Sequence, residues 1–224
     1  MLRSITKKEL RALKTRVSLL PDYKTDFDLS IKQLGYLFGL DPDGAKYFTQ
    51  GMNRTNIVFG EQEVFFNKDT VDFGSLTKTI EILLGESHSD LSNFIFNVFD
   101  LDRDRVLQKN ELLALCRSSM WISSTSIAVQ YSLQMSQILV VDLDNNQKEF
   151  REQIFSRVQK SITDDHVQQV FVDFFQEFDT NTSNIITLQE FKKYCQNNGS
   201  IIKPFINIAK ELISPIKEDK CIIC

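Results

Sequence analysis

The chain has 224 residues, which is enough for one large domain or two small lobes that each bury a core. Its formal net charge of −4 argues against a broad nucleic-acid surface. With two histidines, no nucleophile elbow and no glycine-rich phosphate loop, the sequence does not predict an enzyme. The four cysteines are too widely spaced for the disulfide framework of a small secreted fold, so we expect a reducing, cytoplasmic setting.

The amino-terminal region begins with a predicted helix. Thr6 and Glu9 have the spacing of a capping box, and apolar residues recur at helical intervals until Pro21. Residues 22–33 then have the spacing of acidic and apolar residues that is typical of a twelve-residue cation-binding loop. However, a lysine stands at the third position and Gln33 at the last. Because a lysine repels a cation and Gln33 cannot supply a bidentate carboxylate, we expect this loop to be empty.

A second loop of the same kind is predicted further along the chain. The sequence DPDG at 41–44 is a turn signal, and we expect a helix over 45–53 after it. Residues 64–75 fit the same twelve-residue register with Val71 at position 8, but apolar and basic residues occupy liganding positions. This loop should also be empty. An unrelated pair of helices is the alternative reading of the region.

The stretch 100–111, DLDRDRVLQKNE, follows a predicted helix that we expect Ser89 to cap. A calcium ion prefers six to eight oxygen ligands, and a twelve-residue loop supplies them from positions 1, 3, 5, 7, 9 and 12. The oxygens at these positions are the side chains of Asp100, Asp102, Asp104, Gln108 and Glu111, and the backbone carbonyl of Val106. The sequence therefore predicts a calcium site here, with an acidic surface turn as the alternative.

Two further positions of this loop carry information. Position 6 requires a positive φ, which glycine adopts at the lowest cost, but Arg105 stands there. We therefore expect calcium binding to be weakened and not abolished. Leu107, at position 8, is the apolar residue that would pair with a partner loop through a short β-bridge.

The partner loop lies unusually far along the chain. It begins at Asp179, 79 positions after Asp100 (179 − 100), so we expect a helical insertion, about one hairpin, within 118–160. Residues 118–141 carry no charge, yet their content of Ser, Thr and Gln is too high for a stable membrane-spanning helix.

The loop at 179–190, DTNTSNIITLQE, is predicted to follow a helix that begins at Thr163. Its candidate ligands are the side chains of Asp179, Asn181, Ser183, Thr187 and Glu190, and the carbonyl of Ile185. Two carboxylates against four give this loop a lower attraction for calcium than the loop at 100–111. Asn184, at position 6, tolerates a positive φ better than arginine does.

The two complete loops also form an internal repeat. When the chain is aligned with itself at an offset of 79 residues, apolar residues align with apolar residues. The aligned pairs are Ile95 with Phe174, Phe99 with Phe178, Leu107 with Ile186, Leu112 with Phe191, and Cys116 with Cys195. Because both cysteines fall on the apolar faces, we expect them to be buried structural thiols.

Together these residues resemble EF-hand proteins of the calcineurin B-like and neuronal calcium sensor type. The resemblance implies an all-α fold with helix-loop-helix pairs in two lobes, short β-bridges between paired loops, and an inserted helical segment between the last two hands. The amino-terminal lobe, 1–86, would carry two degenerate hands. The carboxyl-terminal lobe, 87–200, would carry two calcium-binding hands, and 201–224 would form an amphipathic helix and a tail.

The resemblance also implies a function. One or two Ca²⁺ ions would open helix pairs and expose an apolar groove for the amphipathic helix of a target protein. A calcium-independent structural subunit of a larger complex and a calcium buffer are the alternatives.

The carboxyl terminus has two features of its own. Apolar residues over 205–213 predict a short helix before Pro215, which either lies in the groove of the protein itself or is a plain packing helix. The last four residues, CIIC, resemble a CaaX prenylation signal in which Cys221 carries the lipid and attaches the protein peripherally to a membrane. Cys224 is an unusual terminal residue for such a signal, so a frayed tail and an oxidation-prone dithiol are the alternatives.

Overall fold

The computed structural model describes residues 3–20, 28–58, 69–85, 87–138, 153, 156–179, 183, 185–197 and 199–215, with only the backbone for 55–58 and 126–138. In these residues the fold is all-α with two short β-pairs, as predicted. The helices are α1 Lys7–Ser18, α2 Ile31–Phe38, α3 Pro42–Val58, α4 Phe73–Leu83, α5 His88–Phe99, α6 Lys109–Ile138, α7 Asp164–Phe178, α8 Leu188–Asn197 and α9 Lys203–Ile213. The strands are β1 Leu29–Ser30, β2 Thr70–Val71, β3 Val106–Leu107 and β4 Ile186–Thr187.

Helix starts follow local side-chain chemistry, with two differences from expectation. The capping box of α1 is present, because Thr6 accepts the Glu9 N–H and the Glu9 carboxylate accepts the Thr6 N–H. Helix α3 begins at Pro42 and not at 45, since proline suits the first helical turn, where its missing N–H costs nothing. Helix α5 is capped by Ser87 and not by Ser89.

The four loops pair two by two through the strands. Strand β1 is antiparallel to β2 with Leu29 opposite Val71, and β3 is antiparallel to β4 with Leu107 opposite Ile186. All four side chains are fully buried. The predicted β-bridge at Leu107 is therefore confirmed, and the two loops that lack ligands pair with each other in the same way.

The segment after the loop at 100–111 continues its exit helix. Helix α6 runs unbroken from Lys109 to Ile138, so the insertion begins as an extension of that helix, and residues 156–161 are helical again. Residues 139–152 lie outside the described part of the chain. Thr163 caps α7 as predicted. Among the described residues, no helix has both the length and the apolar character needed to cross a bilayer.

Helix α9 packs on helices from both halves of the chain, namely α1, α2, α4 and α6. Its Phe205 is fully buried and stacks on Phe48, with ring centroids 5.7 Å apart. The guanidinium of Arg16 donates to the carbonyls of Leu212 and Ser214, at 3.3 and 2.7 Å. The buried apolar residues form one continuous cluster from Leu13 to Ile213, and the division at 1–86, 87–200 and 201–224 stays a prediction.

Candidate metal centre

The loop at 100–111 gathers three carboxylates at one point. One oxygen from each of Asp100, Asp102 and Asp104 lies within 4.8 Å of the others. Backbone N–H groups hold the last two in place: the Asp104 N–H donates to Asp102 Oδ1 at 3.2 Å, and the Val106 N–H to Asp104 Oδ1 at 2.9 Å. Such turns between an aspartate and the backbone two residues on are typical of tight loops.

Two arginines adopt the left-handed conformation that this tight loop demands. Arg105 has φ 67°, which confirms that position 6 needs a positive φ. Arg103 has φ 63°, a requirement that the sequence analysis missed. A residue with a Cβ is disfavoured there by about 1–2 kcal/mol. The Arg105 conformation lets its backbone N–H donate to Asp100 Oδ2 at 3.2 Å.

Asp100 is the buried member of the cluster, with 4% of its surface exposed. Its Oδ1 is buried and has no hydrogen-bond partner. Burial raises the pKa of Asp100, and the nearby Asp104 and Asp102 carboxylates act in the same direction. A buried polar atom without a partner costs about 1–3 kcal/mol, and more when it is charged. A cation at the cluster would remove this cost.

Glu111, the predicted bidentate ligand, is folded back over the loop. Its Oε1 accepts the Leu101 N–H at 2.7 Å, and its Oε2 accepts the Gln108 N–H at 3.0 Å. Burial raises the pKa of Glu111, with a contribution from the charges of Asp102 and Asp100. Because each carboxylate oxygen has a second acceptor site, both can still bind a cation.

Gln108 turns the donor end of its amide towards the acidic cluster. Its Nε2 donates to Asp102 Oδ2 at 3.2 Å and to Asp104 Oδ2 at 3.1 Å. To serve as a ligand, the amide must turn its oxygen inward or bind through a water molecule. Val106, whose carbonyl is the predicted ligand at position 7, lies in β3. The donor set of this loop consists of hard oxygens between two flanking helices and fits calcium.

Arg54 is a neighbour of this loop that sequence reasoning missed. It projects from α3, and its Nη1 donates to the backbone carbonyl of Asp100 at 3.2 Å. Burial lowers the pKa of Arg54, Arg103 lowers it further, and Asp100 opposes the shift. A contact across 46 positions has no local signal in the sequence, so only the folded chain reveals it.

The loop at 179–190 is partly described, and Asn181 lies outside the described residues. The Ser183 N–H donates to Asp179 Oδ1 at 2.9 Å, and the Ser183 hydroxyl donates to the Ile185 carbonyl at 3.1 Å. Position 1, position 5 and position 7 of the loop are therefore close together. They carry one carboxylate, whereas the corresponding positions at 100–111 carry two.

The last two ligands of that loop act as a cap for α8. Both the N–H and the hydroxyl of Thr187 donate to Glu190 Oε2, at 2.9 and 2.8 Å. Within the described residues, the only cluster of three potential metal-binding acidic, cysteine or histidine side chains is the one at Asp100. The lower attraction of the second loop for calcium stays a prediction from its two carboxylates.

The remaining predicted residues fall in two groups. Cys116 and Cys195 are buried free thiols, as predicted, and burial raises the pKa of Cys116 to about 12 and that of Cys195 to about 11. These values exclude reactive thiolates at neutral pH. Residues 22–27 and 64–68 of the degenerate loops, and the proposed lipid site Cys221, lie outside the described residues.

Comparison with known proteins identifies one of these loops independently. Residues 171–195 match the family model described as EF hand. The matched segment contains most of α7, the loop at 179–190 and α8 up to Cys195. No curated protein matches the chain. The match does not distinguish a calcineurin B-like or neuronal calcium sensor protein from other EF-hand proteins. Residues 171–195 are therefore similar to an EF hand, and EF hands are typical calcium-binding units.

Proposed function

We propose that the protein is a non-enzymatic, calcium-binding EF-hand regulator. The loop at 100–111 is the stronger site, and the loop at 179–190 is the weaker one. One observation carries this proposal: Asp100, one of a cluster of three carboxylates, has a buried oxygen without a hydrogen-bond partner. Such an arrangement is costly unless a cation neutralises it.

A calorimetric calcium titration of the full chain, in physiological magnesium, tests the proposal. We expect one or two sites with dissociation constants of about 10⁻⁷–10⁻⁵ M, the range of EF-hand sensors. A chain that releases no heat and binds no calcium by equilibrium dialysis contradicts the proposal. Magnesium is included because it competes for carboxylate sites at rest.

The proposed output is an apolar surface that binds an amphipathic helix of a target protein. Calcium opens the helix pairs of EF-hand sensors but barely moves those of buffers. A hydrophobic dye separates the two cases: its fluorescence should rise after calcium addition if the protein is a sensor. An unchanged signal at full calcium occupancy would identify a buffer.

A second candidate function is a calcium-independent structural subunit. The packing of α9 favours it, because Phe205 already fills the space beside Phe48 and Phe99 that a target helix would need. In that case calcium should leave the dye signal and the exposure of α9 to protease unchanged. Calcium-dependent tryptic cleavage after Lys210 would instead favour the sensor.

Membrane attachment through Cys221 is a separate part of the proposal. The support is the CIIC sequence alone, and a single lipid gives only reversible membrane binding. The intact mass of the protein purified from a eukaryotic host tests it, because prenylation adds the mass of the lipid. The Cys221→Ser variant is the control, and equal masses after correction for the substitution would exclude the lipid.

A further inference from the structure

The amino-terminal half contacts both helices that flank the loop at 100–111. Helix α3 packs against the entering helix α5 and the exit helix α6, and α2 also touches α6. The degenerate half therefore packs on both helices that flank the stronger candidate calcium site. The question is whether these contacts are fixed or loose.

The contact between α3 and α5 is at backbone distance. A Cβ on Gly51 would lie 2.5 Å from Val98 Cγ2 and 2.9 Å from Val98 Cα, so only glycine permits this approach. Val98 is fully buried, and it precedes the ligand Asp100 by two residues. Arg54, on the same helix as Gly51, holds the Asp100 carbonyl. Helix α3 thus fixes both the end of α5 and the first residue of the loop.

The contact with α6 is equally close. The fully buried Thr125 hydroxyl lies 3.0 Å from the Gly39 carbonyl, and 2.7 Å from the Trp121 carbonyl of its own helix. Gly39 has φ 67°, and a Cβ there would overlap Thr125 Oγ1. The turn at Gly39, after α2, therefore packs closely against α6. Glu111 lies in the first turn of that helix.

We infer that the amino-terminal half is a positioning scaffold for calcium at 100–111. It holds the end of α5, the Asp100 carbonyl and the exit helix α6, and so keeps Asp100 and Glu111 close together before a cation arrives. Ligands held in position lose less conformational freedom on binding, which raises affinity. This inference rests on the proposed function, since it assigns the degenerate hands a task in that same site.

The first test distinguishes a loss of ligand positioning, which lowers calcium affinity, from a general loss of thermal stability. In a Glu190→Gln background, which leaves only the 100–111 site to be titrated, Gly51→Ala should weaken calcium binding about fivefold or more. Gly74→Ala is the matched control, because it adds the same methyl group to another helix of the amino-terminal half. Its Cβ would meet Asp72 Oδ1, 3.0 Å away at the start of α4. The control should change the affinity less than twofold while it shifts thermal stability.

A second substitution tests the contact itself. Val98→Ala removes the Cγ2 atom that a Cβ on Gly51 would strike, so Gly51→Ala/Val98→Ala should recover part of the lost affinity. A purely structural defect would not be repaired in this way, because Val98→Ala alone removes buried volume and destabilises the fold. Because a Cβ on Gly51 would still lie 2.9 Å from the Val98 Cα, the recovery should be partial, and a double variant that regains thermal stability without regaining calcium affinity contradicts the inference.

Thr125→Val decides the matter if Gly51→Ala does not fold. It keeps the side-chain shape and removes the hydroxyl that faces Gly39, so it should weaken calcium binding without loss of helicity. Unchanged affinity in Thr125→Val and in any folded Gly51→Ala variant overturns the inference. If the Glu190→Gln parent itself binds no calcium, the proposed function at 100–111 fails first, and the two failures remain distinguishable.

Discussion

The two pairs of loops have the same architecture and different chemistry. In both, an apolar residue at position 8 is fully buried and faces its counterpart across a two-residue β-bridge. At position 12, however, the amino-terminal loop has Gln33, whose side chain accepts the N–H and hydroxyl of Ser30 and so helps to cap α2. Glu111 occupies that position at 100–111. The apolar bridge and the caps maintain the fold in both pairs, and the carboxylates at 100–111 additionally suit a cation.

Two buried aspartates sharpen this contrast. Burial raises the pKa of Asp41, in the amino-terminal half, but the Gly44 N–H and the charge of Arg117 both stabilise its ionised carboxylate. The Ser118 hydroxyl lies 3.5 Å from Asp41 Oδ1. Asp100 has an oxygen with no partner at all. The first carboxylate is part of a helix start. The second is suited to a cation.

The largest effect should come from the bridge residues. Truncating a fully buried leucine removes about 2–5 kcal/mol from the free energy of unfolding, so Leu29→Ala and Leu107→Ala should destabilise the protein similarly in urea. Leu107→Ala should also weaken calcium binding more than Leu29→Ala does. The reason is that β3 also contains Val106, whose carbonyl is the candidate ligand at position 7. Equal calcium affinities in the two variants would contradict the assigned difference between the pairs.

The next effect concerns the bidentate ligand. Glu111→Gln should weaken calcium binding at 100–111 by about 30-fold or more, or roughly 2 kcal/mol, because a buried carboxylate that faces the ion is lost. Isothermal titration measures it. Glu190→Gln is the matched control and should remove only the weaker site. If Glu111→Gln titrates like the parent, the site is wrongly assigned.

A smaller effect should follow from relief of backbone strain. Arg105→Gly removes the cost of a positive φ and a positive charge, so calcium should bind about fivefold more tightly, or about 1 kcal/mol. Arg105→Gln removes the charge and keeps the strain, so the difference between the two variants measures the strain alone. No gain in either variant would show that position 6 does not limit affinity.

The smallest effect should come from Asp41→Asn. Burial raises the pKa of Asp41 above its usual 3.8, so the unfolded chain loses this proton at lower pH than the folded protein does. The ionised carboxylate therefore lowers stability as pH rises from about 3.8, and the cost is absent in acid, where both states are protonated. Asp41→Asn should be slightly more stable at neutral pH and equal in acid, by urea unfolding at several pH values.

The position-8 residues and the caps at Thr6 and Thr163 are local signals, and the structure places them as the sequence predicted. The ligand spacing at 100–111 is equally local, and the structure brings Asp100, Asp102 and Asp104 together there. The sequence predicted a turn at 41–44 and a helix from 45, whereas α3 begins at Pro42. The same residue types favour a turn and the first turn of a helix. The positive φ of Arg103 was missed because it follows from how tightly the carboxylates converge.

The sequence by itself determined the all-α class, the positions of the loops and which of them carry carboxylates, because helix periodicity and loop spacing are encoded within a few residues. Three contacts were decided only by the tertiary structure. Arg54 of α3 contacts the loop at 100–111, α6 packs against the turn at Gly39, and α9 packs on helices from both halves. These contacts join residues far apart in the chain. They depend on which surfaces bury together, and no local pattern records that choice.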